Sequence, residues 1–212
     1  MSDSRPLSAP RAGAEPRAAA APSATDATPS PDGVVRHVQR GLYVEEFEVG
    51  AVYLHRPGRT ATEADNVLFS SLTMNTQALH LDAAFSAAQP FGQRLMNSMW
   101  TLATMVGASV TQLTQGTLVA QLGLGDVSFP HPLFAGDTLY TETAITDVRL
   151  SRSRPGQGIV TMVHTGRNQD GEIVARATRS ALMWCRPDAS EASASAETAA
   201  STPTAHSSTE DS

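Results

Sequence analysis

Residues 94–113 read RLMNSMWTLATMVGASVTQL, and the fold is decided by what this stretch does. Leu95, Met99, Leu102, Met105, Val106, Val110 and Leu113 recur every three or four positions with no proline among them, which predicts a buried central helix. Gly116 lies where such a helix should be capped, and Met96, Met99 and Met105 read as core packing rather than as ligands. Downstream the pattern changes. Leu118 to Phe129 and Asp137 to Leu150 read as strands, the latter rich in Thr and Ile; Gly158 to Asn168 and Glu172 to Cys185 flank the turn Gln169-Asp170-Gly171, a hairpin signal. Upstream, Phe47, Val49, Val52 and Leu54 predict a first strand that stops at Pro57-Gly58. A shorter helix should then start at an N-cap, Thr62, with Glu63 and Asp65 in its first turn and an apolar face of Val67, Leu68, Phe69 and Leu72. One long helix among antiparallel strands is most economically an α+β domain in which a curved sheet wraps the helix.

The two ends have a different composition. Residues 1–36 are rich in Ala, Pro and Ser and residues 188–212 in Ala, Ser and Thr, so neither buries enough apolar surface to offset the entropy of ordering. Both are expected to be disordered, leaving residues 37–187 as one domain large enough for a hydrophobic interior. All 15 basic residues are arginine, which excludes Schiff-base lysine chemistry and a phosphate-loop lysine. A net charge of -6 with no basic run argues against nucleic acid. The chain has no apolar run of spanning length and no secretory core, so a cytoplasmic protein with no membrane association is expected. The single cysteine, Cys185, excludes an internal disulfide and a thiolate metal cluster, and reads as a structural thiol.

Chemistry concentrates at residues 73–82, TMNTQALHLD, where Asn75, Gln77, His80 and Asp82 fall within eight positions. Asp82 suits the N-cap of a following helical turn. His80 and Asp82 lack third and fourth ligands nearby, so no metal is expected. The other histidines read as structural or solvated: His37 and His206 near or in the ends, His55 at a strand end, His131 between two prolines, and His164 inside a strand.

The segments FSSLTMNTQALHLDAAF (69–85), FGQRLMNSM (91–99) and VSFPHPLFAGDTLYTETAI (127–145) resemble the MaoC-like dehydratases, hot-dog folds that include (R)-specific enoyl-CoA hydratases. The resemblance runs from about Val44 to Met183. It implies a single hot-dog domain acting on an acyl-CoA thioester, with coenzyme A as part of the substrate and no other cofactor. His80 matches the family's catalytic histidine. The family carries an Asp, an Asn and a Pro at five, three and two residues before it, where this chain has Asn75, Gln77 and Ala78.

Hydration of an enoyl thioester needs a group to take a proton from water, a group to deliver one to the α-carbon, and donors for the developing enolate oxygen. An imidazole can do either proton transfer near neutrality, so His80 is the expected acid/base. Asn75 cannot be a base and is expected to orient the water through its amide. The pair Asn97-Ser98 stands where the family often has His-Gly or Asn-Gly, which makes the Ser98 N–H the expected oxyanion donor. The resemblance further implies Gln77 and Asn97 at the substrate, Arg94 as partner of a distal substrate carboxylate, and Arg152 and Arg154 in SRSRPGQGIV as partners of coenzyme A phosphates. The wording TMNTQ-x-LH is similar to relatives acting on short branched or dicarboxylic acyl-CoAs of the mesaconyl or itaconyl type. A homodimer is expected by the same analogy. Two other activities fit the resemblance: a non-catalytic acyl-thioester-binding protein, and an acyl-CoA thioesterase.

Overall fold

The structure, a computed structural model, describes residues 27–29 and 32–187. A short ribbon pairs β1 (Ala27–Pro29) with β2 (Val35–His37), antiparallel, within the segment expected to be a disordered tail; the rest of both tails lies outside the described residues. The domain itself runs β3 (Val52–Thr60), α1 (Glu63–Leu72), α2 (Ala78–Leu81), α3 (Ala83–Ala87), α4 (Ser98–Leu113), β4 (Leu118–Ser128), β5 (Thr138–Leu150), β6 (Gln157–Arg167) and β7 (Ile173–Trp184). The five long strands form one antiparallel sheet in the order β3-β5-β6-β7-β4, with α4 packed on one face. This is the hot-dog arrangement expected from the sequence.

Helix α4 begins four residues later than its periodicity predicts. Asn97 takes the N-cap, its side chain accepting from Met99 N–H at 3.0 Å, while Leu95 bridges Phe134 and Met96 N–H donates to Leu133 O at 2.9 Å. Residues 94–97 are therefore extended, because the strand-like bridge satisfies their backbone groups better than an uncapped turn would. The helix buries Trp100, Leu102 and Met105 with Leu139, Ala175 and Ala177 at one end, and Leu113 with Ile145, Val160, Met162 and Met183 at the other. Its remaining face, with Ala103, Gly107 and Ala108, is open in the single chain.

Two expectations need correcting. The first strand does not stop at Pro57-Gly58: β3 continues to Thr60 through an irregular register between His55 and Arg59. As an edge strand it turns Val52 and Leu54 outward and His55 inward, and Phe47, which is buried, precedes the strand. Helix α1 starts at the Thr62 cap, reinforced by Asp65 reaching back to Thr62 N–H at 2.9 Å, but of its predicted apolar face only Phe69 packs against the core. Leu68 and Leu72 are 62% and 83% exposed whereas Asn66 and Ser70 are buried. Hydrogen bonds of Asn66 and Ser70, together with the packing of Phe69, set the inward face of this helix.

A polar seam separates the two halves of the core. His55 on β3 hydrogen-bonds Gln112 of α4 through Nδ1 at 2.9 Å and Thr143 of β5 through Nε2 at 2.8 Å, and Thr143 Oγ1 lies 2.8 Å from His164 Nδ1 on β6. Arg179 on β7 follows, 2% exposed. Burial, aided by the Arg179 charge, pushes the His164 imidazole down to about 3, and burial lowers His55 as well. Both rings are thus neutral and structural, as read from their strand positions. Cys185 is also inert: burial and neighbouring Glu45 push its thiol up to about 11.

Candidate active site

The site forms where the segment between β3 and α4 folds back over the N-terminus of α4. Its organiser is Asn66, 1% exposed. The Asn66 amide donates to His80 O at 3.1 Å and to Leu95 O at 2.9 Å, and its carbonyl accepts from Asn97 N–H at 2.9 Å. One side chain therefore fixes the histidine segment, the bridge strand and the cap of the helix. Four residues on, Ser70 accepts from Asn97 Nδ2 at 3.1 Å.

His80 is the third of the four residues of the short helix α2, partly buried, with Nδ1 at 2.9 Å from Leu95 O. A carbonyl can only accept, so Nδ1 carries the proton and Nε2 of the neutral ring keeps its lone pair. That is the tautomer a base needs. Asn75 sits one turn earlier. Its side-chain carbonyl accepts from Gln77 N–H at 3.1 Å, which leaves the amide NH₂ as its donor end. Met74 adopts φ 55° to make this turn, an unusual conformation for a residue with a side chain.

Ser98 opens the 16-residue helix α4. Because the Asn97 cap takes Met99 N–H, the Ser98 amide has no partner among the described residues. It faces the positive end of the helix dipole, where an oxyanion is stabilised. Next to it is a pocket of about 250 Å³, bounded on the helix side by Leu95, Ser98 and Thr101 and on the other by Phe129, His131 and Val174. Phe129 to Asp137 forms the loop that closes it. Asp137 accepts from Phe134 N–H at 2.8 Å and from Gln169 Nε2 at 2.8 Å, so the β6–β7 hairpin braces the loop. Gly171 in that hairpin turns at φ 84°, as its sequence predicts.

The remaining expected site residues are placed differently. Gln77 is exposed at the start of α2. Asn97, expected at the substrate, is 2% exposed with its side chain spent on Ser70 and the helix cap, so it positions Ser98 and does not face a ligand. The Arg94 guanidinium lies beside the histidine segment, 3.4 Å from Leu81 O, but pairs with Glu63 at 2.6 Å. Arg152 and Arg154 stand at the tip of the β5–β6 hairpin. Strand β5 has 13 residues and leads from the His80 end of the sheet to that tip, roughly 40 Å at about 3.3 Å per residue. A single chain does not bring these arginines and His80 to one another.

Sequence reasoning missed Asn66, Ser70 and the pocket-facing His131. The first two were visible as polar residues four apart in the helix, a spacing that puts them on one face. No local signal marks His131.

The chain matches the family model of the MaoC like domain over residues 45–168. It is 28% identical over 146 residues to a mesaconyl-CoA hydratase of Haloarcula marismortui, covering 68% of this chain and 40% of that protein. It is likewise 28% identical over 135 residues to a β-methylmalyl-CoA dehydratase of Chloroflexus aurantiacus, covering 63% of this chain and 38% of that one. The chain thus spans about two fifths of the length of these relatives. Among solved structures, a Mycobacterium tuberculosis protein described as a double hot-dog superimposes with a TM-score of 0.63 at 27% identity, over 70% of this chain and 46% of that one. The hot-dog sheet, the histidine segment pinned beside the head of α4 and a family match over more than half its residues agree: the chain belongs to the MaoC-like dehydratase domain family.

Proposed function

We propose that this protein reversibly hydrates an enoyl-CoA thioester. The observation that carries the reading is the pinned imidazole: His80 Nδ1 held by Leu95 O, with Nε2 left basic, on the segment that leads into the Ser98 amide. In this reading His80 Nε2 takes a proton from a water oriented by the Asn75 NH₂ as the water oxygen bonds the β-carbon. The π electrons move onto the thioester oxygen, where the Ser98 N–H and the helix dipole stabilise them. The α-carbon is then protonated and the carbonyl reforms. The relatives named for mesaconyl-CoA and β-methylmalyl-CoA support a short, branched acyl group carrying a second carboxylate.

The same reading takes a second copy of the chain as partner. Matching about half of a double hot-dog structure fits a domain that needs another to complete its ligand tunnel. Edge strand β4, with Leu122, Leu124 and Val127 exposed, offers the surface for pairing.

The test is to incubate the protein with a panel of enoyl-CoAs while following loss of the conjugated absorbance and release of free thiol together. Hydration without thiol release is expected, and His80→Ala should abolish it. Thiol release would establish a thioesterase instead; tight binding with no turnover would establish a binding protein. Unchanged hydration in His80→Ala would remove the histidine from the mechanism.

A further inference from the structure

The domain and the segment that follows it differ sharply in charge. Residues 188–212 hold five carboxylates, Asp188, Glu191, Glu197, Glu210 and Asp211, and no arginine. They account for five of the six net negative charges of the chain, whereas residues 32–187, with 12 arginines against 13 carboxylates, are close to neutral. A tethered polyanion of this kind is drawn to whatever cationic surface lies within its reach.

The fold delivers this segment beside three arginines. Strand β7 ends at Trp184, which pairs with Gln157, and Cys185 N–H donates to Gly156 O at 2.9 Å. Gly156 belongs to the β5–β6 hairpin, whose tip carries Arg152 and Arg154, with Arg149 near the end of β5. Arg152 and Arg154 are exposed and make no ion pair among the described residues, and Arg149 lies 3.8 Å from Asp147. Together with Leu150 and Ile159, Arg149 and Arg152 line an open groove of about 640 Å³. Elsewhere on the surface Arg36 pairs with Asp32, Arg59 with Asp65 and Arg167 with Glu142. The carboxylates where the chain leaves the sheet are engaged as well: Arg40 and Arg186 hold Glu46, and the Arg186 N–H donates to Glu45. Reach is no obstacle. Glu191 is six residues past Cys185, up to about 20 Å of chain at roughly 3.3 Å per residue, and Arg154 is two residues from Gly156.

We propose that the acidic segment 188–212 docks on the arginines of the β5–β6 hairpin of its own chain. The carboxylates of Asp188, Glu191 and Glu197 accept from the guanidinium groups of Arg149, Arg152 and Arg154 along the groove. Each exposed pair is weak by itself and is screened by salt. Attachment a few residues away supplies the carboxylates at an effective concentration of about millimolar, which favours the docked arrangement without any further contact. The surface lies at the far end of β5 from His80, so the docking is independent of the hydration chemistry.

The experiment measures arginine accessibility in the full-length protein and in a full-length variant whose tail carboxylates are amides: Asp188→Asn, Glu191→Gln, Glu197→Gln, Glu210→Gln and Asp211→Asn. Both are treated with phenylglyoxal, and the modification of each arginine is followed by peptide mass spectrometry. All five substitutions fall beyond Pro187 and remove no contact of the domain. At low salt Arg152 and Arg154 should react about fivefold more slowly in the native protein than in the variant, the scale of two exposed ion pairs. The difference should vanish at about 1 M salt, where the screening length falls to about 3 Å. Arg176, exposed on β7 and about 26 Å along the strand from Trp184, should react alike in both proteins. Protection that persists on dilution supports a contact within one chain. Equal rates at Arg152 and Arg154 in the two proteins, protection that extends to Arg176, or protection lost on dilution would overturn the proposal.

Discussion

Asn66 and Asn97 meet backbone to side chain inside the fold: the Asn97 N–H donates to Asn66 Oδ1 at 2.9 Å, with both residues almost fully buried. The other end of the Asn66 side chain holds the carbonyls of His80 and Leu95, so the helix cap that frees Ser98 and the strand that pins His80 share a single amide. Replacing Asn66 by Leu strands the His80 carbonyl and the Asn97 N–H in the interior. At about 1–3 kcal/mol for each of the two buried groups left unpaired, a loss of roughly 2–6 kcal/mol is expected in urea unfolding. Hydration should fall through kcat, since the pin and the oxyanion donor are both displaced. A variant with native stability and turnover would show that the clamp does not organise the site.

The buried histidines set the acid limit of the fold. His164 is held down to about 3, far below an unfolded histidine near ~6.5, so the folded protein binds fewer protons than the unfolded chain as pH drops. Its stability is complete above about pH 6.5 and declines between there and about pH 3, by up to about 1.4 kcal/mol per pH unit for this one group. Urea midpoints at pH 7.5, 6 and 5 should fall in that order. His164→Gln should be less stable at pH 7.5 yet show a flatter decline. An equally steep decline in the variant would assign the acid sensitivity to other groups.

Gly166 sits where α4 comes down on the sheet. A Cβ there would lie 2.9 Å from Leu139 Cδ1 and 3.2 Å from Met105 Sδ, both buried. Gly166→Ala is expected to cost about 1–3 kcal/mol as these side chains leave their rotamers, read as a drop in Tm. A Tm equal to the native value would mean that the core there has slack.

Strand β4 should be where two chains join. Charged residues placed on the exposed edge, Leu122→Glu with Leu124→Glu, are expected to convert a dimer to monomers in light scattering and to reduce hydration in parallel. Both positions are half-exposed in the single chain, so the change should spare monomer stability. Unaltered mass would place the contact elsewhere.

Most of the fold was legible in the chain. The strands from Leu118 onward appear within a residue or two of their patterns because β-branched alternation and the Gln169-Asp170-Gly171 turn are local signals that fix register. The caps at Thr62 and Asp82 were legible for the same reason. What failed was the inward face of α1. Periodicity locates an apolar face but not which way it points, and here the partners of Asn66 and Ser70 come from positions up to 31 residues away.

The residues themselves determined the helix-in-sheet architecture and the concentration of polar groups at 73–82, because both are encoded by neighbours in the chain; the choice of His80 among those groups came with the family resemblance. Only the tertiary structure decided the tautomer of His80, the retirement of Asn97 to a capping role, the separation of Arg152 and Arg154 from the site and the arrival of His131 at the pocket. Those outcomes depend on hydrogen bonds and distances between segments far apart in sequence, and a carbonyl that fixes a proton on a ring has no local signature in either residue's neighbourhood.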